Sequence, residues 1–392
     1  MGLSASGSTI AMLGATAIAA ATGDGVHGAL WTGAFLVALF TAKALVIRFV
    51  PGVSNRFGPE RVFMLTNLAA ILLWAGAGIL VISGSPGILV ILIIAPFAGV
   101  VNAVFAIELP LLSHAYLSNH SMAAANARVS VARGLACAIG AIGAGVLINT
   151  AGPGYALIVR AVFAVPLLLV LHGASRGTTA PPPLVTGSGS DPEVGPSILA
   201  DPAIRRVILL AAVLTVTTAP VAGMIVPIAQ SLRQTPLVIG ASIMLAAMSA
   251  GELLSPFFVH RYEHRHQRGH DPMSAALLVV ASALLAFGLV SMVLTDRAEL
   301  AAWVLIGLLF GGAESSSHSV VLGQLVANAG SFDLRHAMAS MKFAMNLAAP
   351  AGFVLWAVLI DQVNAEAAIV IASAALILVT LTVGRAPKMI DA

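Results

Sequence analysis

A chain of 392 residues carries twelve long apolar stretches, in two blocks of six around one hydrophilic linker. That pattern restricts the fold more than any single residue does. A helix needs about 20 apolar residues to cross about 30 Å of hydrocarbon, and only a helix or a closed barrel satisfies its backbone hydrogen bonds there. The stretches are continuously apolar rather than alternating, so they predict helices and not barrel strands. Composition agrees: 59% of residues are apolar and only 9% are Asp, Glu, Lys or Arg, too little charge for an ordinary water-facing surface. The reading is an all-α polytopic membrane protein with no room for a separate soluble catalytic domain.

The predicted spans are 8–27, 31–50, 63–83, 86–112, 127–149 and 153–172, then 204–228, 236–259, 273–294, 301–325, 337–360 and 364–384. Tight reversals are expected at Gly84-Ser85-Pro86-Gly87 and Gly152-Pro153-Gly154. Residues 173–203 hold Pro181-Pro182-Pro183, Gly187-Ser188-Gly189-Ser190 and three acids, the composition of a solvated linker. The expected organisation is therefore an N-terminal bundle (1–172), a cytoplasmic linker (173–203) and a C-terminal bundle (204–392).

Cation placement orients the bundle. With both termini cytoplasmic, Arg48, Arg56, Arg61, Arg128, Arg176, Arg205, Arg206 and the arginines of 261–268 fall on the inner side, and only Arg160, Arg233 and Arg297 fall outside. The expected location is the cell membrane, crossed many times, with the bilayer and a small solute as partners and the chain as a monomer. Scattered loop cations are no nucleic-acid signature. The single cysteine, Cys137, excludes an internal disulfide and a thiol-rich zinc site. No phosphate-cradling Gly-rich loop with Lys-Ser/Thr is present, nor a Gly-x-Ser-x-Gly elbow, so neither ATP drive nor hydrolase chemistry is encoded by these signatures. Four histidines between 260 and 270 are interleaved with arginines that disfavour a dication, and they read as a membrane-surface anchor. No metal and no cofactor is expected.

The two blocks show weak self-similarity. An offset of 205 carries Pro51 onto Pro256 and Arg56 onto Arg261. An offset of 209 carries Arg133 onto Lys342 and Gly143 onto Gly352, and one of 213 carries Gly99 onto Gly312 and Asn102 onto Ser315. Between spans 2 and 3, Asn55-Arg56-Phe57-Gly58 with Arg61 resembles a decayed copy of the loop motif G-x-x-x-D-R-x-G-R-R of the major facilitator superfamily, with Asn55 where the motif has Asp. Gly140-Ala141-Ile142-Gly143-Ala144-Gly145 is similar to the G-P-x-x-G-G segment of that family's antiporters, with Ala141 in place of proline. The resemblance covers the whole chain and weakly favours the drug- and siderophore-exporter branch. It implies two six-helix pseudo-symmetric bundles that rock about a central cavity lined by spans 1, 4, 7 and 10.

Ionisable groups inside hydrocarbon are costly and mark functional positions. Glu314 lies in the middle of span 10, with His318 one turn on and on the same face. Such a carboxyl can take a proton from one side of the membrane and release it to the other; the competing reading is a structural Glu–His tether. Asp24 is a second proton-coupling candidate if span 1 extends to it, and otherwise a solvated turn residue between two glycines. Arg133 and Lys342 read either as snorkelling cations or as paired cationic groups that attract an anionic solute. Lys43 sits deeper and calls for an acidic partner, with Glu314 the candidate. Asn102, Ser315 and Thr218 are the expected polar cavity contacts. Glu108 facing Arg56 and Arg61, with Asn55, forms a candidate cytoplasmic gate, and Glu252 is expected to meet Arg261 or Arg265. Pro220 and Pro227 are expected to interrupt span 7.

The function expected from the sequence is secondary-active transport, energised by the proton gradient and exporting a small amphipathic or hydrophobic molecule by alternating access. The alternatives are uptake of a small nutrient or anion, and a transport-inactive membrane sensor or scaffold.

Overall fold

The computed structural model describes residues 2–22, 27–116, 122–177, 202–231, 237–266, 271–294, 296–329 and 334–383. Among them the chain is helical between short turns. The first block comprises α1 (Gly2–Ala20), α2 (Gly28–Ile47), the short amphipathic α3 (Val50–Phe57), α4 (Pro59–Ile82), α5 (Gly87–Tyr116), α6 (Met122–Ala151) and α7 (Pro153–Gly177). The second comprises α8 (Pro202–Gly223), α9 (Ile225–Ser231), α10 (Leu237–Gly251), α11 (Ser255–His266), α12 (Pro272–Val293), α13 (Asp296–Ala329), α14 (Leu334–Gln362) and α15 (Ala365–Val383). Ten stretches are long and apolar enough to cross a bilayer, and the shorter apolar helices Ala5–Ala20 and Pro153–Leu169 complete twelve. The chain is a multi-pass membrane protein.

The turns follow from the residues that make them. Gly58, Gly84 and Gly152 adopt φ of 84°, 91° and 99°, a region open to glycine at little steric cost. Pro59 and Pro153 then start the next helices, where a missing N–H is harmless. Asp271 caps α12 by accepting from the backbone N–H groups of Met273 and Ser274, each at 3.3 Å. It also accepts from Arg206 at 2.7 Å. Because Arg206 donates to the carbonyl of Val383 as well, one guanidinium ties the start of α8, the start of α12 and the end of α15 into a single face.

Proline positions explain the two broken spans. Pro227 has no N–H for the carbonyl of Gly223, four residues earlier, and span 7 divides there into α8 and α9. Pro220, expected to interrupt the same span, lies inside α8 without dividing it. Pro256 likewise cannot serve Glu252, and a 3-10 turn at Glu252–Leu254 separates α10 from α11. The first block uses the same device, since Pro51 cannot serve Ile47, where α2 ends. The offset of 205 that aligns the two prolines therefore also carries Ile47 onto Glu252.

The repeat extends to packing. In the first block α1 packs on α6 and α7, α2 on α5, and α4 on α5 and α7; in the second α8 packs on α14 and α15, α10 on α13, and α12 on α13 and α15. Two seams join the blocks: α2 against α14, and α6 against α10.

Several sequence expectations need correction. Span 1 starts earlier and its described helix ends at Ala20, while Asp24 lies outside the described residues, as does most of the linker. The 51–61 segment is not all loop, because α3 occupies most of it. Helix continues from Ser255 to His266, into the region expected as a loop. Arg160 was expected at the outer surface. It is 3% exposed and packs inside the α1–α7 contact, where a Cβ on Gly7 would meet it.

Candidate functional site

Glu314 lies on α13, which glycine brings against α10. A Cβ on Gly311 would collide with the backbone of Met248, and one on Gly312 would stand 2.9 Å from the carbonyl of Gly251. The pattern Gly311-Gly312 next to the acid is thus a close-approach seam, and it sets the depth of Glu314 beside Glu252. Gly99 on α5 approaches the backbone of α2 at Leu39 and Lys43 in the same way, which is the structural content of the Gly99–Gly312 match.

The hydroxyl of Thr218, on α8, donates to the carbonyl of Leu214 at 2.9 Å and lies within reach of the Glu314 carboxyl. One hydroxyl proton can serve either acceptor. With Glu314 protonated, the acid donates to the hydroxyl while the hydroxyl donates to Leu214; with Glu314 ionised, the hydroxyl turns toward the carboxylate. The pair can accommodate either charge state with its hydrogen bonds made. Ser315, next to Glu314, is buried with its Oγ lacking a hydrogen-bond partner among the described residues.

Arg133, on α6, gives the strongest polar contact across a seam. Its guanidinium donates to Oε2 of Glu252 through Nη2 at 3.0 Å and Nε at 3.3 Å. The arginine side chain is 56% exposed and the glutamate 16%, so the pair borders open space rather than packed core. Glu314, His318 and Lys342 all lie within electrostatic reach of Arg133. Glu252 was expected to meet Arg261 or Arg265, and instead pairs with Arg133; the 3-10 turn forced by Pro256 presents it there. That turn was legible in the sequence as a missing donor at Pro256, a signal read only as a repeat marker.

Lys43 has no acidic partner among the described residues. Its interacting charged neighbour is Lys342, across the α2–α14 seam, and its ammonium sits 5.3 Å from the ring centroid of Phe40. The expected pairing of Lys43 with Glu314 is not formed. His318 lies within electrostatic reach of Lys342 and Arg133, and no ion pair joins it to Glu314 among the described residues; the same-face spacing places both groups on one side of α13 without tethering them. Asn102 is half-buried on α5 one turn beyond Gly99, on the helix that packs against α2 beside Lys43.

The predicted gate does not share this centre. Glu108 is fully buried on α5, while Asn55, Arg56 and Arg61 are exposed and the Arg56 guanidinium stands 5.3 Å from the ring centroid of Phe57. The Gly140–Gly145 segment packs on two sides. A Cβ on Gly140 would meet the backbone of Ser6 on α1, and one on Gly145 would meet Ser242 on α10. Its small residues are accounted for by helix contact. At the far end of the α2–α14 seam, Nδ1 of His27 and Oδ1 of Asp361 stand 3.5 Å apart, a pairing the sequence reading missed because the two residues are far apart in the chain. Among the described residues no group of three or more His, Cys, Asp and Glu is arranged to hold a metal ion.

No family model matches the sequence, and no curated protein matches it. Solved structures do. The chain is similar to the crystal structure of the nucleoside transporter NupG, with a TM-score of 0.61 at 12% identity over 99% of this chain and 100% of that one. It is similar also to the crystal structure of a point mutant of NupG, with a TM-score of 0.63 at 12% identity over 97% and 99%. At this identity the likeness concerns the fold, and both structures are transporters. Twelve apolar helical stretches among the described residues, a repeated packing order and two inter-block seams belong to the fold that this chain shares with NupG.

Proposed function

We propose that the chain is a secondary-active transporter, not an enzyme, which takes up a small polar solute by alternating access with the proton gradient as its energy source. The observation that carries this reading is the grouping of Lys43, Arg133, Glu252 and Lys342 on the helices of the two seams, with Thr218 on α8 and Glu314 and His318 on α13 within electrostatic reach of them. Charges held at a seam change their partners when the seam opens, which is what alternating access requires. Uptake is preferred to export on two grounds. NupG, whose fold the chain shares, is a nucleoside transporter, and the glycine segment that suggested an exporter is accounted for by helix packing.

In this reading the bundles 1–172 and 204–392 rock about the seams, with both termini and the arginine-rich face cytoplasmic. Glu314 carries the coupled proton, and Thr218 satisfies the acid in both protonation states. Glu252 with Arg133 holds the α6–α10 seam and must part when the blocks separate there. Asn102 and Ser315 offer polar contacts to the solute. Glu108 with Arg56, Arg61 and Asn55 remains the proposed gate toward the cytoplasm for another stage of the cycle. The protein acts as a monomer in the cell membrane.

The test is uptake into proteoliposomes holding the purified full chain. A panel of radiolabelled neutral nucleosides, small carboxylates and phosphate esters is offered with and without an inwardly directed proton gradient. Accumulation of at least one solute that depends on the gradient supports the reading. Gradient-driven loss of preloaded solute, with no accumulation, supports export instead.

A further inference from the structure

We infer that the solute carries an anionic head, a carboxylate or phosphate, and that Lys43 and Lys342 clamp it across the α2–α14 seam. The inference rests on the transport reading and names the substrate class of that same site. Lys43 on α2 and Lys342 on α14, one from each block, lie within electrostatic reach of each other across the packed seam. Among the described residues no carboxylate comes within ion-pair distance of either: the acids of the centre are engaged elsewhere, Glu252 by Arg133 at 3.0 Å and Glu314 by Thr218. A third cation, Arg133, and the His318 imidazole also lie within electrostatic reach of Lys342.

Like charges brought together away from bulk water repel, and that repulsion is relieved by an anion between them or by loss of a proton. Helix geometry deepens the first option. Lys43 lies four residues before the end of α2 and Lys342 five residues into its span, so the Cα of each stands roughly 6–8 Å of helix rise inside the arginine-rich face. The acids Glu252 and Glu314 lie farther in, near the middle of their spans. An anion drawn from the arginine-rich face, or released toward it, meets the lysines at the depth where the acids do not repel it. Phe40, against the Lys43 ammonium and 5.1 Å from Phe353 across the seam, gives the body of the solute an apolar wall beside the clamp.

Such a clamp also binds the blocks together. With the anion present the two ammonium groups attract through it; without it they push the α2–α14 seam apart. Solute binding and seam closure are thereby one event, which is how a transporter avoids closing on an empty site.

The experiment measures thermal stabilisation of the purified full chain in detergent by uridine, uridine monophosphate, inorganic phosphate and lactate, each at matched ionic strength. The inference predicts that one or more of the anions raises the melting temperature and that uridine does not. Lys43→Met or Lys342→Met weakens the effective anion by about ten- to a hundredfold, while Lys43→Arg and Lys342→Arg keep most of it. Stabilisation by the phosphates and not by lactate assigns the clamp to phosphate; the reverse assigns it to carboxylate. Equal stabilisation by uridine and the anions, no stabilisation by any anion, or anion binding untouched in both Met variants overturns it. If the Met variants do not fold, loss of anion binding in both Arg variants overturns it in their place. Failure of the transport reading is separate: an anion that binds through the lysines but never crosses the proteoliposome membrane leaves the clamp and removes the transporter, and gradient-driven uptake of uridine with no anion competition does the opposite.

Discussion

The two seams that join the blocks are built alike and charged differently. At α6–α10, opposite charges meet, Arg133 on Glu252, between helices that approach through Gly134 and Gly145. At α2–α14, like charges lie within electrostatic reach of each other, Lys43 and Lys342, on helices joined by the Phe40–Phe353 ring pair. Among the described residues the first seam pairs its charges within the chain, and the second does not. On the proposed transport reading, the second seam is the place for the solute.

The comparison is most severely tested by steric insertion. Gly134→Leu puts a Cβ 2.6 Å from the carbonyl of Ser249 and equally close to Cβ of Glu252. Overpacking of this kind costs about 1–3 kcal/mol or more, so the variant is expected to lose several degrees of melting temperature. Gly33→Leu on the other seam meets the Ala357 methyl at 2.9 Å with no backbone atom nearer than 3.5 Å, and is expected to lose less. Equal losses would mean that the seams are not packed differently.

Glu252→Gln removes the partner of Arg133 and loosens the α6–α10 seam. Cys137 lies one turn from Arg133 on α6 and is half-buried. Its alkylation by a thiol reagent is expected to speed up several-fold in Glu252→Gln and to return toward the native rate when the charges are exchanged, with Arg133→Glu and Glu252→Arg together. Because the arginine is more than half exposed, solvent screening keeps the stability change small, so the thiol rate is the sensitive readout.

Thr218→Val deletes the hydroxyl that serves Glu314. A hydrogen bond of this kind contributes about 0.5–1.5 kcal/mol, so gradient-driven uptake is expected to slow by about two- to tenfold, with exchange of solute less affected. The smallest effect belongs to His27→Ala or Asp361→Asn. That pair is 3.5 Å apart with His27 57% exposed, and its loss is expected to shift stability by less than about 0.5 kcal/mol. A large shift would make the far end of the α2–α14 seam a third structural anchor.

Much of the fold was legible because its causes are local or periodic. Long apolar stretches, reversals at Gly84 and Gly152 and the interruption at Pro227 follow from backbone chemistry that the residue types state outright. The repeat was legible too, because the prolines and glycines that break or approach helices sit at matching places in both blocks. The site was only half legible. Glu314, Arg133, Lys342 and Lys43 declared themselves as charges inside apolar runs. Their partners did not, since pairing depends on which helices share a seam: Lys43 was matched with an acid and meets a lysine, and Glu252 was matched with loop arginines and meets Arg133. His27 and Asp361 carried no signal, each being an ordinary polar residue at a helix end.

The central claim is that a proton on Glu314 drives solute through the space between these seams. Proteoliposome uptake by the native chain and by Glu314→Gln, each with an inwardly directed proton gradient and each in solute counterflow without one, tests it most directly. The native chain is expected to accumulate solute against its gradient, and Glu314→Gln to lose accumulation by about tenfold or more while retaining counterflow. Undiminished, gradient-dependent accumulation by Glu314→Gln would contradict the account.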